Sequence, residues 1–203
     1  FNCSLTSANI VITEPAIVNA SLAINTTQTC LTQTTLTLTG SGGTMPYSYS
    51  PTGVAGSFIP FAPAASTTMT LSVPVGTHHY YIQDANGCIS VVSGDVVIDP
   101  LTPLTLSAVT HTDILCTGFN TGTISATANG GLLSYVYTLL DAATLLPIAP
   151  APTQLTPGNF TNLPAGTYVV HVASLDCGKD SAPVVIVEPA AAFTVVATPN
   201  SAN

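Results

Sequence analysis

The sequence predicts an all-β chain built of tandem β-sandwiches, and three observations carry that prediction. Short runs of alternating or β-branched residues recur along all 203 residues, and no stretch sustains a helical period. Clusters of Gly, Pro and Asn separate those runs. One set of landmarks also repeats in the same order at a spacing of one small domain.

The repeat is read from several residue types. "NIVITEPA" (9–16) recurs as "DVVIDPL" (95–101) and "VVIVEPA" (184–190), so Pro15, Pro100 and Pro189 stand 85 and 89 residues apart. Cys3, Cys88 and Cys177 keep the same two steps, and Cys30 and Cys116 are 86 apart. "GGTMPYSYS" (42–50) matches "GGLLSYVYT" (130–138), and "VPVGTHHYYI" (73–82) matches "LPAGTYVVHV" (163–172). The expected units are 16–100 and 101–189, each opening after one acidic-Pro pair and closing at the next. Residues 1–15 then read as the last strand of a preceding or partner unit. Residues 190–203 read as the first strand of a following unit, or as a donor strand.

The elements follow in order. In the first unit the strands are "ASLAINT", "TTLTLTG", "PYSYS", "TTMTLSV", "THHYYIQ" and "DVVIDP". In the second they are "LTLSAVT", "TGTISATA", "LSYVYTL", "GTYVVHVAS" and "APVVIVE". Six or seven short strands in under 100 residues suit an immunoglobulin-like or fibronectin-like sandwich. "LPAGTY" has the form of a corner in which a Tyr hydroxyl bonds back to the preceding turn. His78 stands where Tyr168 stands, so the corner is expected to be altered in the first unit.

Composition limits the function. Charged residues are 5% of the chain, Lys179 is the sole Lys or Arg, and the net charge is -8. A polyphosphate backbone is repelled, which argues against nucleic acid as a partner. Apolar residues reach 46%, but in short pieces; no run approaches the roughly 18 residues of a spanning helix, so no membrane insertion is expected of this segment. With few charges to blunt sheet edges, hydroxyls, glycans or neighbouring subunits are expected to cover the surface.

Five cysteines point to an oxidising compartment. Equivalent positions argue for equivalent bonds, so the expected disulfides are Cys30 with Cys88 and Cys116 with Cys177. Each closes a loop of about 60 residues, worth roughly 4 kcal/mol by chain entropy. A strictly up-and-down count of seven strands puts the two members at opposite ends of a sandwich. An even count, or a cysteine inside a strand, brings them together, and buried thiols are the alternative. Cys3 is left unpaired or bonded to another unit.

Each remaining candidate has a structural alternative. His78 and His79 are adjacent, so on a strand they face opposite ways and make a poor metal pair. Glu14, Asp99 and Glu188 share one repeat position, where calcium needs several further oxygens; Asp113 or Asp180 are candidates, and a solvated strand end is the alternative. Tyr47 with Tyr49, and Tyr135 with Tyr137, share a sheet face and suit either a sugar platform or core packing. There is no nucleophile elbow and no glycine loop ahead of a helix, so neither enzyme activity nor a cofactor is expected. The Gly pairs at 42–43 and 130–131 read as turns.

The unit resembles the SprB-type repeat of Bacteroidota surface proteins, on "CTGFNTGTISATANGGLLSYVYT", "LPAGTYVVHVASLDCG" and "VVIVEP" in the second repeat and "GGTMPYSYS", "DANGCIS" and "VVIDP" in the first. The first repeat lacks the C-x-G and the corner Tyr, and the second reads "DCG" where the pattern has "GC". The resemblance implies a secreted or cell-surface structural or adhesive role and supplies no catalytic residues. "DSA" (180–182) then becomes a candidate O-glycosylation signal, with the sugar on Ser181. The expected function is an extracellular stalk, adhesin or filament whose partners are copies of itself, as adjacent repeats or subunits, and surface glycans. Polymerisation by β-strand addition is the sharper form of that expectation. The alternatives are a carbohydrate-binding module or the spacer domains of a larger secreted enzyme.

Overall fold

The computed structural model describes residues 3, 8–10 and 13–190. Of the two expected flanking strands, "NIVI" (9–12) lies half outside the described residues, and 191–203 lies wholly outside them. The described residues are all β, with no helix. They divide into two compact units: Phe1–Gln28 with Thr32–Pro100, and Thr29–Leu31 with Leu101–Asn203.

In the first unit, β1 (Asn19–Thr26), β2 (Thr34–Ser41) and β5 (Thr68–Val73) form one antiparallel sheet in the order β1-β2-β5. β3 (Ser48–Ser50), β4 (Ile59–Pro60) and β7 (Tyr81–Gln83) form another, β4-β3-β7, while β6 (Gly76–His78) pairs with β8 (Val96–Ile98). The alternation of "TTLTLTG" does what a period of two requires. Thr34, Leu36 and Leu38 point inward and are buried, while Thr35, Thr37 and Thr39 alternate with them. Leu36 and Leu38 meet Leu71 and Val73 of β5, Tyr47, Ile82 of β7 and Ile98 of β8 in one core.

The second unit repeats this plan with more complete strands. β9 (Thr105–Thr112), β10 (Gly122–Asn129), β12 (Thr153–Thr156) and β13 (Asn159–Leu163) form a sheet in the order β12-β13-β10-β9. β11 (Tyr135–Asp141) pairs with β14 (Gly166–Ser174), which also carries β15 (Cys177–Asp180) and β16 (Val184–Ile186). Ile124 and Ala126 of β10 and Phe160 of β13 pack with Leu139 of β11, Val170 and Val172 of β14 and Ile186. Two antiparallel sheets closing on one apolar core is the arrangement of a β-sandwich.

Two departures from the expected strands have local causes. "THHYYIQ" is not one strand: its first part, β6, pairs with β8 and its last part, β7, pairs with β3, with a break between them at His79–Tyr80. The β12–β13 hairpin is not among the expected strands, because "QLTPGNFTNL" has no clean alternation. Its turn signal, Pro157-Gly158 with Gly158 at φ 81°, was nonetheless present.

The landmarks of the two repeats make the same bonds. Gly43 N–H donates to Ala16 O at 2.7 Å, and Gly131 N–H donates to Thr102 O at 2.8 Å. Both Gly pairs have positive φ, so they are the turns the sequence predicts. A Cβ on Gly42 would lie 2.0 Å from Ile17 O, and one on Gly130 would lie 2.1 Å from Pro103 O.

Candidate functional site

The cysteines are the first correction. Cys30 is bonded to Cys177, with Cα atoms 5.2 Å apart across a sequence separation of 147. Cys3, Cys88 and Cys116 are free and exposed. The expected pairs Cys30–Cys88 and Cys116–Cys177 therefore do not form. In the second unit, Cys116 sits by the end of the last strand: Thr117 Oγ1 donates to Pro189 O at 3.0 Å, and Gly118 N–H donates to the Glu188 carboxylate. That end lies beside Gly166, which is paired with Ile186, whereas Cys177 is paired with Ser174. Eight residues of β14 separate the two, roughly 26 Å at about 3.3 Å per residue. A disulfide needs Cα atoms within about 7 Å. The first unit has the same layout. Gln28 Nε2 donates to Asp99 O at 2.5 Å at the β6–β8 end, while Asp84 holds Cys88 at the other.

Cys30 instead belongs to a three-residue segment that packs with the second unit. The Asp176 carboxylate accepts the N–H of Cys30 at 3.2 Å and of Leu31 at 3.4 Å. A hydrogen bond from the Thr29 side chain, opposed by desolvation and reinforced by these backbone bonds, holds the Asp176 carboxyl below the usual range. The donor atoms of Cys30, Asp176 and Cys177 lie within 4.8 Å of one another. With the two sulfurs bonded together, Asp176 is the only oxygen donor left in that group, and the cluster is an ordered disulfide, not a cation site.

A second pair of polar side chains occupies one repeat position. Asp84 accepts backbone N–H groups from Thr44 at 3.0 Å, Asn86 at 3.0 Å and Cys88 at 2.8 Å. In the second unit, Ser174 accepts the N–H of Leu132 at 2.8 Å and donates to Leu133 O at 2.7 Å. Both side chains are buried. Burial pushes the Asp84 carboxyl up, but the Thr44, Cys88 and Asn86 bonds outweigh it and hold the group below the usual range.

The corner expected at "LPAGTY" is present. Tyr168 Oη donates to Pro164 O at 2.9 Å, and burial, with Asp141 nearby, pushes its phenol up. The altered corner keeps the same bond with another donor: His78 Nε2 lies 2.8 Å from Pro74 O. A carbonyl offers no proton, so Nε2 carries the hydrogen. The other histidines each face a separate acid: His79 with Asp95 at 3.1 Å, His111 with Asp113 at 3.8 Å and His171 with Asp180 at 2.5 Å.

The remaining candidates have structural partners. Glu188 binds Gly118 N–H, and Asp113 Oδ1 accepts Val187 N–H at 3.0 Å. Tyr47 and Tyr49 both pack edge-on against buried Phe61. Tyr135 Oη donates to Gly130 O at 2.8 Å, and Tyr137 Oη accepts Ala128 N–H at 2.8 Å. The tyrosine faces therefore line the cores. Ser181 Oγ accepts Val170 N–H at 2.9 Å and donates to Ala182 O at 2.7 Å. Ser93 Oγ makes the same pair of bonds in the first unit, accepting the N–H of Tyr80, the counterpart of Val170, at 3.1 Å and donating to Gly94 O at 3.1 Å. A sugar on Ser181 would remove the proton bonded to Ala182. Ser181 also lines a groove of about 630 Å³ with Leu106, Val109, His111 and Lys179.

A family model described as SprB repeat matches residues 108–144, and the chain carries a SprB-type repeat there. That stretch includes Cys116, the Gly130–Gly131 turn and both tyrosines of β11. No curated protein matches the chain in sequence. Among solved structures, a chain of "Crystal structure of mouse coronavirus receptor-binding domain complexed with its murine receptor" is 11% identical. The alignment covers 83% of this chain and 100% of that one at a TM-score of 0.37, a likeness on which no argument rests.

Proposed function

We propose that this chain is a structural segment of a secreted, surface-associated bacterial repeat protein, working as part of a stalk or filament and assembling with copies of itself. The observation that carries the reading is the SprB repeat at 108–144, a structural repeat type, whose landmark bonds recur in the first unit. Strand order supports an immunoglobulin-like topology for the second unit. β9-β10-β13-β12 and β11-β14 with β15 and β16 follow the A-B-E-D and C-F-G orders of the constant type. Polar groups in both units bond backbone to backbone and stiffen turns, which suits a load-bearing module. Among the described residues no helix is long and apolar enough to cross a membrane.

The test is immunogold labelling of intact source cells with antibody raised against residues 1–203. Label on unpermeabilised cells, arrayed on projecting fibres or stalks, is the expected result. Label that appears only after permeabilisation would overturn the reading.

A further inference from the structure

The one disulfide among the described residues encloses most of the chain. Its two cysteines have a sequence separation of 147, and the loop between them holds every strand from β2 to β14. β1 lies ahead of Cys30, and β15, which opens at Cys177, is followed by β16. Both cores belong almost wholly to the loop. In the first unit every buried core residue except Val18 is inside it, and in the second every one except Cys177 and Ile186. A disulfide that staples one sandwich closes within that sandwich. Here the bond starts from Thr29–Leu31, a segment that packs with the second unit although the chain on either side of it belongs to the first.

This connectivity gives tension two covalent routes between Cys30 and Cys177. One is the backbone through residues 31–176, which at about 3.5 Å per residue is roughly 500 Å long when fully drawn out. The other is the disulfide itself, with Cα atoms 5.2 Å apart. The shorter route becomes taut first, so the backbone route stays slack for as long as the bond survives. A pull that enters ahead of Cys30 and leaves beyond Cys177 can strip β1, β15 and β16 from their neighbours. It cannot lengthen the chain through either core. The bond is also held in place: the Asp176 carboxylate accepts the N–H of Cys30 and of Leu31, and Cys177 is 3% exposed. Burial of that sulfur limits its attack by an outside thiolate.

We propose that the Cys30–Cys177 disulfide is a load bypass, which passes tension directly from the end of β1 to the start of β15 and withholds residues 31–176 from stretching. The proposal rests on the reading of the chain as a load-bearing segment, and it names the bond that limits the segment's extension. It holds whatever the chain is joined to on either side, because only the order of β1, Cys30, Cys177 and β16 enters it. A single backbone cut between Leu31 and Asp176 likewise leaves the two flanks covalently joined.

The test is single-molecule pulling on the full chain held at its two ends. Cys3→Ser, Cys88→Ser and Cys116→Ser are combined so that one pair alone can bond. The oxidised chain should lengthen only by its flanks, and reduction should add roughly 500 Å to its fully stretched length. Adding Cys30→Ser should give the longer length with or without reductant. An oxidised chain that stretches as far as the reduced one would overturn the proposal. Disulfide mapping of the unsubstituted chain is the second measurement. A peptide linking Cys30 to Cys177 is expected, and peptides linking Cys30 to Cys88 or Cys116 to Cys177 would overturn it. Labelling of intact cells needs no disulfide and pulling needs no cell, so the surface reading and this inference fail separately.

Discussion

Replacing Tyr137 by Phe removes one oxygen and leaves the ring in place. That oxygen accepts the N–H of Ala128 at 2.8 Å. Two residues back, Ala126 N–H is taken by Gly158 O at 2.9 Å, in the turn that ends the β12–β13 hairpin. Beyond that turn Tyr137 Oη is the acceptor for β10. Ala128 is 5% and Tyr137 9% exposed, so water does not readily replace the lost oxygen. A buried donor left without a partner costs about 1–3 kcal/mol, and with no cavity formed about 2 kcal/mol is expected. For a unit of roughly 100 residues that lowers Tm by roughly 10 °C. Tyr168→Phe is the control: its oxygen donates to Pro164 O at 2.9 Å, but Pro164 is exposed and water can take its place, so about 1 kcal/mol is expected. Calorimetry of the full chain measures both losses. Hydrogen exchange at the Ala128 amide should quicken by roughly 30-fold in Tyr137→Phe, since about 1.4 kcal/mol is tenfold. A loss no larger than that of Tyr168→Phe, or an Ala128 amide as protected as in the native chain, would refute the buried-donor argument.

Two further predictions concern charge and backbone. Asp84 and Asp176 have carboxyls held below their ordinary value, so each contributes stability that is full above the unfolded pKa near pH 4 and lost as pH falls through the folded one. Acid titration should therefore weaken the first unit below about pH 4, with Asp84→Asn flattening that fall, and should speed exchange of the Cys30 and Leu31 amides. Gly130→Ala should destabilise by roughly 3 kcal/mol or more, because its Cβ meets backbone in a left-handed residue, against about 1–2 kcal/mol for Gly118→Ala, whose Cβ enters open space; urea titration separates them.

Much of the fold was legible because it is local. Leu36 and Leu38 alternate with threonines, and that pattern alone sends them to the core. Gly42–Gly43 and Gly130–Gly131 announce turns by residue type, and "LPAGTY" announces its corner by a Tyr four residues after a Pro. The β12–β13 hairpin escaped because its strands carry Thr, Asn and Gln in place of a clean apolar alternation. The split of "THHYYIQ" escaped because its two parts pair with different strands, β8 and β3, and a run of residues does not name its pairing partners.

By itself, the sequence determined the β character of the chain, its two-fold internal repeat and the inward face of its strands, since each depends on residues a few positions apart. Tertiary structure alone decided the partners of the cysteines, the His78 corner bond and the burial of the tyrosine faces. The cysteines show why. Matching positions in two repeats establish that Cys30 resembles Cys116 and that Cys88 resembles Cys177. Which sulfur meets which depends on the end of the sandwich each occupies. An eight-residue run of β14 separates Cys116 from Cys177, while Asp176 secures Cys30 beside Cys177 from 146 residues away.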